Sequence, residues 1–416
     1  MKLVKTTIFS AIITFIRTAS GFVAGKIVAL FTGPSGVALI GQFNNFITIV
    51  LTFANGAINT GVVKYTAEYE GDENRLKQLF STSLKISVYC SAVFGSVLLL
   101  TAPWCAKWIF DGRVYVNPVR VLGVTIILYS LNTLLISILN GRKQISTYTV
   151  VNTVGSLVAL LFTVSLVYFF KIEGALYALV LSQSIVFFVT VGMIVKSDWF
   201  SWSYFNRVFD KGMAIKLSKY SLMTLVSSIT GPLSQIFLRN MVISKLGIDS
   251  AGYWQAMMRI SDGYLLLITT SLLTYYLPKL SGLHSREELR HEIFFGYKII
   301  VPVVLASCMV IYFLRYIIVR VLFTKAFLPM ETLFFWQLLG DFFKITAYVL
   351  AFLMLAKSMT RIYILTEVMF SAGYVLLGYL CVDYFKLSGI TIAFAANYFI
   401  YLLVMLVIFR RLIFAK

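Results

Sequence analysis

Acidic charge is scarce in this chain: 416 residues carry only 17 Asp and Glu against 36 Lys and Arg, with 7 prolines, 4 cysteines and 2 histidines. Each shortage excludes something. The cysteines, Cys90, Cys105, Cys308 and Cys381, show no metal or redox spacing and lie in or beside apolar runs, so they read as small hydrophobes rather than as a zinc module or disulfide framework. His284 and His291 share the polar stretch HSREELRHE with Glu287, Glu288 and Glu292, which reads as a solvated amphipathic turn; no metal ligands are expected. There is no Gly-rich phosphate loop with its Lys-Ser/Thr and no nucleophile triad. An ATP motor is thereby excluded, no catalytic residue is assigned, and no cofactor is expected.

What the chain has instead is apolar length. Hydrophobic residues make up 59% and charged residues 13%, at a mean hydropathy of +0.87, where soluble domains carry about 25% charge. Apolar segments of about 20 residues or more, the length a spanning helix requires, recur throughout. Continuous runs of this length predict helices; membrane strands would show short alternating segments. The fold class expected is an all-α polytopic membrane protein of about twelve transmembrane helices. The expected spans are 8–31, 37–63, 82–104, 118–140, 147–170 and 174–195, then 213–243, 250–277, 293–318, 331–356, 361–383 and 388–410.

The net charge of +19 is spread through the connecting segments, a distribution set by topology and not by nucleic acid. With a cytoplasmic N-terminus, Lys and Arg concentrate in the inside segments, which places both termini in the cytoplasm. The basic start, MKLVKTT, precedes a run too long for a signal peptide and without a small-residue cleavage site, so it is expected to stay as the first span. No outside connection is long enough to fold as a domain. The longest connection, KSDWFSWSYFNRVFDKG at residues 196–212, mixes Trp199, Trp202, Tyr204 and Phe205 with Arg207 and Lys211. It reads as a cytoplasmic linker lying in the membrane interface, joining an N-terminal lobe, 1–195, to a C-terminal lobe, 213–416.

The two halves resemble each other. FFKIEGALYALVLSQ, from Phe169, parallels YFKLSGITIAFAANY, from Tyr384, and PSGVALIGQ, from Pro34, weakly parallels DSAGYWQAM, from Asp249, at a shift of 215 residues in both cases. Six spans per half give both lobes one orientation, a parallel repeat about an axis along the membrane normal, and such repeats commonly hold a substrate path between the bundles.

Ionisable residues inside the spans mark candidate sites, because a charge at bilayer depth costs at least about 2.5–3.5 kcal/mol. Within IITFIRTASGFVAGKIVAL, residues 12–30, helical phase puts Arg17 on the small, polar face of Ser10, Thr14, Ser20, Gly21 and Ala24, while Lys26 lies about half a turn round. Arg17 is the interior candidate; Lys26, near the outer end, has snorkelling to the interface as its alternative. Gln42, Asn45, Asn55 and Asn59 form a polar stripe that suits either interhelical hydrogen bonds or sugar contacts. Gly231 and Pro232 predict a kink preceding Gln235 and Arg239. Arg259 with Asp262, and Asp341 with Lys344, stand at i,i+3, where structural ion pairs compete with functional roles. Lys298 and Glu367 have no opposite charge at helical spacing. The interior cations, Arg17, Lys26, Arg239, Arg259, Lys298 and Lys344, outnumber the acids Asp262, Asp341 and Glu367, so a cavity they line should attract anions. The acids are the candidates for coupling to a proton or Na⁺.

With TASGFVAGKIVALFTGPSGVALIGQFNN and FANGAINTGVVKYTAEY, and the turn Gly33-Pro34-Ser35-Gly36 after span 1, the whole chain resembles the Wzx-type polysaccharide flippases of the multidrug/oligosaccharidyl-lipid/polysaccharide exporter superfamily. The resemblance implies two six-helix lobes, a bacterial inner-membrane location, and transfer of an undecaprenyl-pyrophosphate-linked oligosaccharide from the cytoplasmic to the periplasmic leaflet. It implies membrane lipid as surroundings and glycan polymerase and chain-length proteins as partners. The substrate-binding set is then Arg17, Lys26, Asn45, Asn59, Arg239, Arg259, Lys298 and Lys344. The rival readings are an exporter of another anionic lipid-linked glycan or small molecule, and a membrane glycan polymerase or ligase. Cation-expelling relatives would want interior acids, and a polymerase would want a long periplasmic loop with catalytic Arg or His.

Overall fold

The computed structural model describes residues 2–414 except 111, 113, 198, 284 and 358, with side chains described from residue 16 onward apart from 219, 220, 223, 274, 278 and 414. Among the described residues there is no strand. The helices are α1 (Lys2–Ala54), α2 (Asn59–Glu68), α3 (Glu73–Phe110), α4 (Val116–Gly141), α5 (Ile145–Val195), α6 (Lys211–Leu246), α7 (Ile248–Ser271), α8 (Leu277–Gly282), α9 (Arg286–Leu322), α10 (Phe334–Ala356), α11 (Thr360–Ile408) and α12 (Arg410–Phe414). A π turn at Leu272–Tyr276 joins α7 to α8. Among the described residues seven helices are long and apolar enough to cross a membrane.

Three of those seven are broken inside. α1 breaks at Gly33 (φ 65°, ψ −168°), α5 at Lys171 (φ 50°, ψ −122°) and α11 at Lys386 (φ 53°, ψ −132°). Only glycine adopts the Gly33 conformation without strain, and the following Pro34 has no N–H to donate to a helix. Divided there, and with α6 and α7 as further spans, the chain is consistent with the expected twelve.

The breaks also carry the repeat. Lys171 and Lys386 stand 215 residues apart, as do Gly174 and Gly389. A Cβ on Gly174 would overlap the Leu166 carbonyl oxygen, and one on Gly389 the Cys381 carbonyl oxygen. The same hairpin, a left-handed lysine followed three residues later by a glycine that lets the returning helix pass against the one before, thus occurs in both halves. The other parallel shows a similar match one residue out of step, Gly33 (φ 65°) against Gly247 (φ 86°).

One expected span is interrupted. Helix α1 ends at Ala54, and Gly56 (φ 60°) and Ala57 (φ 52°) turn the chain before α2 begins. Asn55 and Asn59 therefore do not lie on one continuous helix as the spacing suggested. Asn-Gly is a strong turn dipeptide, and the Ala54 carbonyl freed by the break accepts hydrogen bonds from the buried Ser91 and Ser130 hydroxyls at 3.1 and 3.4 Å. Inside a bilayer such a carbonyl has no water to turn to, so the two serines make the break tolerable.

Chain contacts divide the molecule into two units, one of Met1–Thr32 with Leu39–Leu233, the other of Gly33–Ala38 with Ser234–Lys416. In the first, α3 and α4 cross at Gly95 and Gly123, where a Cβ on either would stand 2.6 or 3.0 Å from the other's carbonyl oxygen; small residues let membrane helices approach this closely. In the second, α10 is packed among its neighbours, with Phe334, Ile345, Ala347, Val349 and Leu350 wholly buried. By contrast, α9 buries only 11% of its apolar window, as suits a helix facing lipid. The four cysteines are free thiols, with Cys308 buried.

Residues 196–212, expected as an in-plane linker, are strapped onto α3 and α4. Tyr204, in the short turn Trp202–Tyr204, is buried, and its hydroxyl bonds to Glu73 and accepts from Arg142 Nη2 at 3.0 Å. The Arg142 guanidinium lies 4.2 Å from the Trp199 ring centre and 4.9 Å from that of Tyr204. Ser81 Oγ donates to the Tyr204 carbonyl at 3.0 Å and accepts from the Arg207 N–H at 2.9 Å, and Lys85 Nζ donates to the Arg207 carbonyl at 2.8 Å. Trp199 and Tyr204 thus pack on a cation, while Trp202 stays exposed.

Candidate functional site

Polar groups gather at one place in each unit. In the first, Arg17 lines a cavity of about 530 Å³ together with Ser20, Gly21 and Ala24, the small-residue face predicted for it. The opposite walls come from α4 and α5: Tyr129 and Thr133 on the former, Asn152 and Gln183 on the latter, with Asn44 from the second part of α1. Lys26 is half-buried and lies outside this cavity. Asn45 is also half-buried and outside it, whereas its exposed neighbour Asn44 is on the wall. Asn59, half-buried at the start of α2, leaves its buried Oδ1 without a hydrogen bond.

In the second unit the acids converge on one cation. Lys344 on α10 lies within electrostatic reach of Asp262 on α7, Asp341 on its own helix and Glu367 on α11. Glu367, unmatched along its helix, is thus within electrostatic reach of a cation on another helix. Yet among the described residues no ion pair joins Lys344 to any of the three. Its ammonium stands 5.6 Å from the Tyr398 ring centre and 5.9 Å from those of Tyr348 and Phe394. The wholly buried Asp341 carboxylate is held by neutral donors: Ser261 Oγ at 2.6 Å, Tyr264 OH at 2.8 Å and Gln337 Nε2 at 3.3 Å. A buried carboxylate must be hydrogen-bonded or neutralised, and these three supply the bonds.

Arg239 is wholly buried on α6, donating to Gln255 and lying 5.3 Å from the Trp254 ring centre. Arg259 is half-buried on α7. Lys298 is exposed on α9. His291 is exposed, and His284 lies outside the described residues. Among the described residues no cluster of three or more His, Cys, Asp or Glu is placed to hold a metal ion.

Sequence reading passed over Tyr129, Asn152, Gln183 and the tyrosines round Lys344. A signal existed for the first cavity: Asn152, Gly155, Ser156, Ala159 and Thr163 recur at helical spacing as a small, polar stripe on span 5, and all five line the wall. The convergence on Lys344 joins three helices and leaves no such trace.

A helical membrane bundle whose polar sites are gathered inside it defines the class, and solved structures agree on the fold. The chain is similar to a multidrug resistance MATE family transporter of the MOP superfamily in an inward-facing conformation, at TM-score 0.77 and 17% identity, covering 95% of this chain and 94% of that one. It is similar also to the lipid II flippase MurJ in an inward closed conformation, at TM-score 0.74 and 16% identity, covering 98% and 87%. The chain shares the fold of these transporters. Residues 10–332 match the family described as "Polysaccharide biosynthesis protein", and the chain belongs to that family. Curated relatives named "Lipid III flippase", from Escherichia coli (strain K12) and from Shigella flexneri, are each 32% identical over 368 residues, covering 88% of this chain and 88% of the relative.

Proposed function

We propose that this protein is a flippase that carries an undecaprenyl-pyrophosphate-linked oligosaccharide, lipid III of enterobacterial common antigen, from the cytoplasmic to the periplasmic leaflet of the inner membrane. The observation that carries the reading is the 32% identity over 88% of the chain to relatives named for that substrate. The Arg17 cavity supplies chemistry to go with it.

The physical problem is the headgroup. A pyrophosphate and several sugars cannot cross about 30 Å of hydrocarbon unaided, since even one unpaired ion costs several kcal/mol or more to desolvate. The lipid tail has no reason to leave the bilayer. A wet, cation-bearing cavity answers both conditions. In this reading Arg17, Arg239 and Arg259 pair with pyrophosphate or uronate oxygens, guanidinium being suited to bidentate contacts. Lys26, Asn45, Asn59, Lys298 and Lys344 are assigned secondary contacts. Arg239, buried against Gln255 and Trp254, reaches substrate only if α6 rearranges; Gly231 and Pro232 give that helix its weak point.

Export of two negative charges against an inside-negative potential of about 100 mV is downhill by about 4.6 kcal/mol. A coupled ion is therefore optional energetically. We assign any proton or Na⁺ to Asp262, Asp341 and Glu367, in resetting the carrier after release. The termini are assigned to the cytoplasm on the distribution of Lys and Arg, the lobes to residues 1–195 and 213–416, and glycan polymerase and chain-length proteins to the partners downstream.

The test is restoration of enterobacterial common antigen in cells deprived of their own lipid III flippase. Surface antigen returning on expression of this chain supports the reading. Continued accumulation of lipid III in the cytoplasmic leaflet, with the chain present in the membrane, contradicts it.

A further inference from the structure

The hydrogen-bonding groups on the wall of the Arg17 cavity are not evenly divided between donors and acceptors. Thr133, Ser156 and Thr163 each donate their hydroxyl proton to a carbonyl of their own helix at 2.8 Å, to Ser130, Asn152 and Ala159 respectively. Asn152 donates Nδ2 to the Tyr148 carbonyl at 2.8 Å. What these four side chains offer a ligand is mainly oxygen. Such back-bonding is the usual fate of hydroxyls in apolar helices, and here its consequence is a wall rich in acceptors.

Donors are fewer and one is held in place. Thr190, wholly buried, donates to Asn132 Oδ1 at 2.7 Å, and Asn132, wholly buried too, donates Nδ2 to Gln183 Oε1 at 3.2 Å. With its oxygen occupied, Gln183, which lines the cavity, has its NH₂ as the group left for a ligand. Among the described residues of the wall, Arg17 is the one cation. Ser20, Asn44 and Tyr129 act either way.

We propose that this cavity binds the sugars of the substrate and not its pyrophosphate, with Gln183 as a specificity-determining donor and Asn132 and Thr190 as the residues that position it. Pyrophosphate offers acceptor oxygens only and two or more negative charges, so a wall of acceptors with a single cation repels it. A short glycan offers many hydroxyl donors and, with one uronate, a single charge for Arg17. Buried acceptors left without a donor are costly, which is how such a wall discriminates. The proposal rests on the flippase reading for the identity of the ligand, and the site can fail separately from it.

The experiment is equilibrium titration of the full-length protein in lipid nanodiscs with two soluble probes. One is the glycan that mild acid frees from the lipid-linked substrate named above; the other is inorganic pyrophosphate. Gln183→Met keeps the side-chain length and removes the donor. It should weaken glycan binding about fivefold to tenfold, the range of one lost hydrogen bond, and leave pyrophosphate affinity unchanged. Asn132→Leu should shift the same ratio in the same direction. A wild type that binds no glycan, or a Gln183→Met variant that loses pyrophosphate, or loses both probes equally, overturns the proposal. Glycan binding without lipid III translocation in vesicles would instead leave the site standing and remove the flippase reading.

Discussion

Lys171 and Lys386, 215 residues apart, turn their helices with nearly the same left-handed backbone, at φ 50° and 53°. Non-glycine residues in that region cost about 1 kcal/mol or more, and both lysines are exposed, so side-chain packing is not what holds them there. The close approach at Gly174 and Gly389 is. Gly174→Val and Gly389→Val should each destabilise by about 1–3 kcal/mol or more, seen as loss of monodisperse protein in detergent. Gly192→Ala, where nothing stands within 4 Å of the new Cβ, should behave as wild type.

The strap at residues 196–212 predicts a stability effect far from any cavity. Arg142→Ala removes a guanidinium stacked on Trp199 and bonded to Tyr204, and should lower stability by about 1–3 kcal/mol in a thermal unfolding series. Arg142→Lys should recover only part, since an ammonium does not reproduce the planar stacking. Equal stability of all three proteins would show the strap to be held by its bonds to Glu73, Ser81, Thr82 and Lys85 without help from Arg142.

Asp341 separates structure from coupling. Asp341→Asn keeps an acceptor for Ser261 and Tyr264, and should fold while removing any dependence of translocation on pH or Na⁺. Asp341→Leu removes the acceptor of three donors, of which Gln337 keeps Ser261 and Tyr264 keeps Cys308, and should be destabilised by about 1–3 kcal/mol for the Ser261 hydroxyl left unpaired. Wild-type translocation indifferent to both gradients would remove the ion assignment altogether.

At the exposed Glu70–Lys143 pair, the hydrogen bond from Lys143 Nζ at 2.6 Å and its charge hold the Glu70 carboxyl below the usual carboxylate range. A lowered folded pKa stabilises above the unfolded value of about 4.3 and is lost as pH falls through the folded one. Lys143→Ala should therefore lower the thermal midpoint slightly at neutral pH and flatten the acid limb, the two proteins converging as the pH falls from about 4.3 through the folded value.

Most of the fold was legible because lipid imposes it. Apolar length, the paired sequences at a shift of 215 and the phase of Arg17 beside Ser20, Gly21 and Ala24 all follow from one-dimensional rules. Where tertiary contacts decide, they fail. The break after Ala54 depends on Ser91 and Ser130 from two other helices, and the setting of Glu367 depends on Lys344 across the bundle. Residues 196–212 have the composition of an interfacial segment, but composition does not register that Arg142 is waiting for Trp199 and Tyr204. The stripe from Asn152 to Thr163 on span 5 follows from the same one-dimensional rule of helical phase.

Whether Arg17 bears on substrate is decided by leaflet-resolved translocation of a lipid-pyrophosphate glycan in vesicles. Wild type, Arg17→Lys and Arg17→Ala would be compared at matched amounts of folded protein. Arg17→Ala should lose about tenfold to a hundredfold in transfer, as expected for a charge-assisted hydrogen bond of about 1.5–3 kcal/mol, with partial retention in Arg17→Lys. Transfer at the wild-type rate by Arg17→Ala would remove Arg17 from the substrate path.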